Sequence, residues 1–274
     1  MVQKISRQIF HSLASAFFPN RCLACNRLYH LPFSFSEQDR NVHPQDMDAA
    51  FTNFTNKFVC GSCAPNFSII ESPICIMCGM MFISREGDDH LCGKCQKDPK
   101  HFAIARAAVV YDNLMMNAIL KLKYQGRIRL AKPLGNVLLF AFLHYFSEQD
   151  LDIIIPVPLY PGKLKQRGFN QVFLMIQDWE KQLSENGYGF PFKIHKNILQ
   201  KNKNTSAQTG LNKDQRIKNV KNSFHIKNQS DISGKNVLLV DDVYTTGSTV
   251  NECAKILKKG GASRVDVLTL ARTI

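Results

Sequence analysis

Asp241 and Asp242 stand side by side after the apolar run Val237-Leu238-Leu239-Val240. Past Val243 and Tyr244 comes the hydroxyl-rich stretch Thr245-Thr246-Gly247-Ser248-Thr249. Adjacent carboxylates suit bonding to vicinal sugar hydroxyls and can help hold Mg²⁺, directly or through water. Gly247 lets backbone amides approach an anion closely, and the threonine and serine hydroxyls add donors. A buried strand that empties into a helix N-terminus is also where open α/β sheets bind anionic ligands. No lysine follows the glycine, so the loop is not a Walker A loop. The chemistry expected is recognition of a sugar beside a phosphate.

A second set of reactive residues lies earlier. Eight of the nine cysteines form four C-x-x-C pairs: Cys22 with Cys25, Cys60 with Cys63, Cys75 with Cys78, and Cys92 with Cys95. Two thiolates on a tight turn can face one tetrahedral Zn²⁺ at about 2.3 Å, and two turns complete its shell. Four pairs therefore imply two zinc ions. A closed Cys₄ site has no open position for water, so the ions are assigned a folding role. Pairing of the turns in sequence and a cross-braced pairing both remain open. A disulfide framework would need an oxidising compartment. His90 is taken as a surface residue, and Cys253, inside a helical apolar pattern, as a small core residue.

The elements that must position these groups follow from periodicity. Ala103 to Tyr111 reads as a strand, Leu114 to Leu122 as a helix, and Pro133 to Phe146 as a largely buried helix. Ile153-Ile154-Ile155 is a buried strand ended by Pro156-Val157-Pro158. After the acidic pair, Val250, Cys253, Ala254 and Leu257 stripe a helix that Gly260-Gly261 end, and Val265 to Leu270 resume a strand. The expected fold class is α/β, a mostly parallel sheet flanked by helices, preceded by a small cysteine-rich zinc module. The expected division is residues 1–100, an amphipathic N-terminal helix with the double zinc module, and residues 101–274, the α/β domain. Ile5, Ile9, Leu13, Ala16 and Phe17 recur at helical spacing and do not form the apolar run of a secretory signal. No stretch has the roughly 18 apolar residues of a membrane span. The protein is expected to be soluble and cytoplasmic.

The net charge of +13 is unevenly spread. Residues 1–100 hold ten Lys and Arg against nine Asp and Glu, whereas residues 160–225 hold twelve against four, a net of +8. A basic field so concentrated attracts polyanions.

The acidic pair and its hydroxyl loop resemble the phosphoribosyl-pyrophosphate motif of type I phosphoribosyltransferases. Pro156-Val157-Pro158, Lys165, Arg167-Gly168-Phe169-Asn170-Gln171 and Lys121-Leu122-Lys123-Tyr124-Gln125-Gly126 are similar to the signature of the ComF competence-protein family, as are Gln208, Leu211, Arg216, Asn219 and Phe224. The four cysteine pairs are also typical of that family. The resemblance implies a type I phosphoribosyltransferase-like sheet in which Asp241 and Asp242 hold the ribose hydroxyls and Thr245, Thr246, Gly247, Ser248 and Thr249 cradle the 5′-phosphate. It puts Lys163, Lys165 and Arg167 at the pyrophosphate, with Mg²⁺ as companion, and Lys201 to Arg216 in a closing loop where Lys201 and Lys203 replace expected arginines. Two functions follow. One is phosphoribosyl transfer to an acceptor that no residue identifies, in the service of DNA uptake during natural transformation. The other is a single-stranded nucleic-acid binding factor whose phosphoribosyl site is regulatory, with single-stranded DNA or DNA-uptake proteins as partners.

Overall fold

A computed structural model describes residues 20–29, 47–203 and 220–274. The helix expected at residues 5–17, the signature positions Gln208, Leu211, Arg216 and Asn219, and most of the expected closing loop lie outside the described residues. β1 (Asn20–Arg21) and β2 (Leu28–Tyr29) pair antiparallel, α1 (Met47–Phe58) follows, and α2 (Gly93–Lys97) carries Cys95. Then come β3 (Ala105–Val110), α3 (Asn113–Tyr124), α4 (Ala131–Phe146) and β4 (Ile153–Pro156). Three short helices, α5 (Pro161–Arg167), α6 (Gln171–Ile176) and α7 (Trp179–Glu185), lead to β5 (Lys193–Ile194). A small antiparallel pair, β6 (Leu199–Lys201) and β7 (Phe224–Ile226), precedes β8 (Asn236–Tyr244), α8 (Ser248–Lys259) and β9 (Arg264–Arg272).

β3, β4, β5, β8 and β9 form one parallel sheet in the order β3-β9-β8-β4-β5. Ile153 to Ile155 of β4 and Val237 to Val240 of β8 are continuous apolar runs because both faces are covered. Leu238 and Val240 enter a core shared with α3, α4, α6 and α7, whereas Val237 and Leu239 enter a second core beneath α8. The first core is closed where α4 crosses α6. A Cβ on Gly135 would sit 2.1 Å from the Met175 carbonyl oxygen, so only glycine fits there. The expected parallel α/β architecture is what the chain forms.

Two departures from the sequence reading matter for the site. First, the acidic pair, expected at the C-terminal end of its strand, has two further paired residues beyond it, because the ladder to β9 continues through Asp241↔Thr269 to Tyr244↔Arg272. Second, the cysteine groups occupy different cores. Cys22, Leu23, Phe54 and Val59 pack with α4, while Cys75, Cys78, Cys92 and Cys95 pack with α8 on the other face. Among the described residues no helix is long and apolar enough to cross a membrane.

The strand order also locates a crevice. β4 connects onward to the β5 edge, whereas its neighbour β8 connects onward to β9, in the opposite direction. Ligands of open α/β sheets bind where connections diverge in this way, beyond the carboxyl ends of the strands. Pro156 is paired with Val240, so β4 ends one residue short of Asp241, while β8 runs on past it to Tyr244.

Candidate functional site

Strand alternation turns the two carboxylates to opposite sides of the sheet. Asp242 is buried on the α3 and α6 side, where its Oδ2 lies 2.7 Å from Lys123 Nζ and accepts a hydrogen bond from Gln171 Nε2. Asp241 is half-buried towards α8, within electrostatic reach of Lys201 and Cys253, and its Oδ1 accepts the Asp242 N–H at 2.8 Å. Burial and the neighbouring Asp242 push the Asp241 carboxyl up to about 7, with Lys123 and Lys201 opposing. Burial alone would lower Lys123, but the charge and hydrogen bond of Asp242 outweigh it and hold the ammonium above its ordinary value. Lys123 thus lies near both acids.

The Arg-Gly-Phe-Asn-Gln run now has a role for four of its five residues. Arg167 ends α5, stacks its guanidinium 5.2 Å over the Tyr124 ring and donates to Gln171 Oε1. Gly168 takes the left-handed turn that lets the chain leave α5, with φ +83°. Asn170 caps α6 by accepting from Val172 N–H at 2.9 Å, and its amide pins the end of β4 by donating to the Val157 carbonyl at 3.0 Å. Gln171 carries the connection on to Asp242. Lys163 sits on the same short helix, and burial together with Arg167 and Lys123 holds it below its ordinary value. Lys165 is exposed. Burial, then Lys163, lowers Lys201, whose ammonium lies 5.2 Å over the Phe224 ring. Lys203 is exposed.

The hydroxyl loop is tight. Gly247 caps α8 with φ +74°, and Thr246 Oγ1 and Ser248 Oγ lie 2.7 Å apart. Thr245 and Thr249 are partly exposed at its two ends. The first N–H groups of a helix lack intrahelical partners, and those of α8 follow directly on the loop. Tyr244 supports the loop from below, since a Cβ on Gly247 would fall 2.3 Å from its hydroxyl. Its ring packs edge-on against Phe102 and under the Arg272 guanidinium, 4.8 Å from the ring centre. Arg272, itself buried, donates to the Cys78 carbonyl. The second cysteine turn and the hydroxyl loop therefore share one packed wall.

Both cysteine groups fit zinc. Cys22, Cys25, Cys60 and Cys63 form one set, Cys75, Cys78, Cys92 and Cys95 the other, with the sulfurs of each within 4.8 Å of one another. The turns are thus paired in sequence, not cross-braced. Cys25 and Cys60 sulfurs are 3.7 Å apart and Cys78 and Cys92 sulfurs 3.8 Å. A tetrahedron with bonds of about 2.3 Å has edges of about 3.8 Å. A disulfide would need about 2.05 Å. Burial raises the Cys22 thiol, but N–H donors of Cys25, Cys60 and Ala24 prevail and bring it down to about 6. The amides of Cys92, Cys78 and Met77 likewise bring Cys75 to about 7. His90 stands outside the second set, stacked 4.0 Å on Phe82. Magnesium fits the acidic pair less well, because Asp242 is already engaged by Lys123 and Gln171 and Asp241 by a backbone amide.

A family model described as the phosphoribosyl transferase domain matches residues 191–273. Competence protein F of Haemophilus influenzae is 30% identical over 234 residues, covering 80% of this chain and 99% of that one. The chain belongs to the competence protein F family. DNA utilization protein YhgH of Escherichia coli (strain K12) is 30% identical over 79% of this chain and 91% of its own, and competence protein ComFC of Bacillus subtilis 26% identical over 78% and 84%. Among solved structures, the allosteric regulatory enzyme of purine biosynthesis matches 55% of this chain and 29% of its own with a TM-score of 0.33 and 19% identity.

In this member of the family, four residues around the acidic pair had no role assigned from sequence: Lys123, Gln171, Tyr244 and Arg272. Lys123 and Gln171 lie within signature runs, but nothing local to either shows that both reach Asp242. Tyr244 lies between the acidic pair and the hydroxyl loop, and Arg272 two residues past the expected strand Val265 to Leu270.

Proposed function

We propose that the chain binds phosphoribosyl pyrophosphate, or a related ribose phosphate, in the crevice between the carboxyl ends of β4 and β8. The observation that carries this reading is the divergence of the strand connections at the point where β8 brings in Asp241, Asp242 and the N-terminus of α8. Asp241, on the α8 side with the hydroxyl loop, takes the ribose hydroxyls, and Asp242, turned to the other side of the sheet, supports it through the N–H that Asp241 Oδ1 accepts. Thr245 to Thr249 take the 5′-phosphate. Lys163, Lys165 and Arg167 supply charge for the pyrophosphate, where neutralisation favours departure from the anomeric carbon. Magnesium enters as the companion of the pyrophosphate oxygens, consistent with its usual binding through substrate phosphates. The names of the relatives, competence and DNA utilization proteins, support a role in DNA uptake during transformation. Calorimetric titration with phosphoribosyl pyrophosphate and Mg²⁺ tests the site. The parent should bind, and Asp241→Asn/Asp242→Asn should bind at least about tenfold more weakly. Equal heats in both would place the ligand elsewhere.

The alternative, single-stranded nucleic-acid binding with a regulatory phosphoribosyl site, is favoured by one observation. Lys196 Nζ lies 4.7 Å over the Phe173 ring within the basic segment, a cation beside a partly exposed aromatic on which a base can stack.

A further inference from the structure

The ribose-phosphate reading leaves unused the best-defined ion pair at the site. α3 is fixed by Leu114, Met115, Ala118, Ile119 and Leu122, all buried against the sheet, so its last turn delivers Lys123 over the strand ends. Lys123 Nζ stands 2.7 Å from Asp242 Oδ2, with side chains 18% and 8% exposed. The same oxygen takes the Gln171 N–H, and Gln171 in turn accepts from Arg167. Asp242 is therefore held from two helices, by a cation on one side and an amide backed by a second cation on the other.

A pair of neighbouring acids in a partly dry site needs a counter-charge, since burying an unpaired carboxylate is strongly unfavourable. A divalent ion could meet that need. Here an ammonium already does, and a divalent ion approaching Asp242 meets an Oδ2 already taken by Lys123 and Gln171 and the repulsion of the neighbouring ammonium. We infer that Lys123 is the resident counter-cation of the ribose site, a positioning residue that holds the Asp242 carboxyl group in place so that a ribose monophosphate binds without a divalent metal. The inference rests on the ribose-phosphate reading above and adds to it a metal requirement confined to the pyrophosphate.

Ribose 5-phosphate is the appropriate probe because it has no pyrophosphate to bring Mg²⁺ in. Its affinity for the full chain is measured by calorimetry in EDTA and in excess Mg²⁺, for the parent, Lys123→Met and Lys123→Arg. The parent should bind equally in both buffers, within about threefold. Lys123→Met should lose about tenfold or more in EDTA and regain it in Mg²⁺, whereas Lys123→Arg, which keeps the charge, should lose little in either. Recovery by a metal is a result that a merely structural lysine would not give. A parent that binds only with Mg²⁺ overturns the inference and leaves the site intact, and so does a Lys123→Met variant that binds like the parent in EDTA. A parent that binds in neither buffer overturns the ribose-phosphate reading and the inference with it. Where Lys123→Met fails to fold, the parent and Lys123→Arg decide through their response to EDTA, and Mn²⁺ relaxation of water protons adds a second readout. Mn²⁺ bound to the parent and lost in Asp242→Asn would refute the inference.

Discussion

Replacing Gly247 by alanine tests how the hydroxyl loop is supported. Two effects add. The residue holds φ +74°, where a side chain is unfavourable by roughly 1–2 kcal/mol. The new methyl would also lie 2.3 Å from the Tyr244 hydroxyl and 2.4 Å from the ring carbon bearing it. A tyrosine at the surface would swing aside, but this one is 5% exposed and wedged between Phe102 and Arg272. Overfilling of packed sites costs about 1–3 kcal/mol, so the sum is about 2–5 kcal/mol. Urea midpoints of the zinc-loaded protein measure it. The same substitution made beside Tyr244→Leu, which removes the colliding atoms, should cost only the backbone part, about 1–2 kcal/mol. Equal losses in both backgrounds, or a loss under about 0.5 kcal/mol in the parent, would refute the account of Tyr244 as the floor of the loop.

Two further outcomes are expected. The folded-state pKa of Asp241, about 7, lies above its ordinary 3.8, so the folded chain binds the proton more tightly and its contribution to stability declines as pH rises through that window. The urea midpoint of the parent relative to Asp241→Asn should therefore fall between about pH 4 and about pH 7, and a flat or rising difference would contradict the burial argued for this carboxyl. For the metals, the two closed sets predict that Cys22→Ser and Cys75→Ser each lower bound zinc from two ions per chain to one, and that the double variant binds none. Elemental analysis of the purified proteins decides this, and two ions retained in either single variant would show that the sets are wrongly drawn.

Local pattern was enough for much of this molecule. The four C-x-x-C turns, the buried strands at Ile153 and Val237, the helix begun by Gly247 and the strand after Gly260-Gly261 all follow from spacings of two to four residues, a range over which side-chain direction repeats. Tertiary structure decided what depends on distant segments. The sequence leaves two pairings of the cysteine turns open, and only the folded chain shows them joined in order and sent to opposite faces of the sheet. The ladder to β9 carried β8 past the acidic pair to Tyr244, and so turned two adjacent carboxylates in different directions. Lys123, Gln171 and Asp242 meet although 48 and 71 residues separate them along the chain. Periodicity reports which face of an element is apolar, but the partner a polar group on that element finds is set by how the elements pack. That is why the acids could be found by reading and their counter-cation could not.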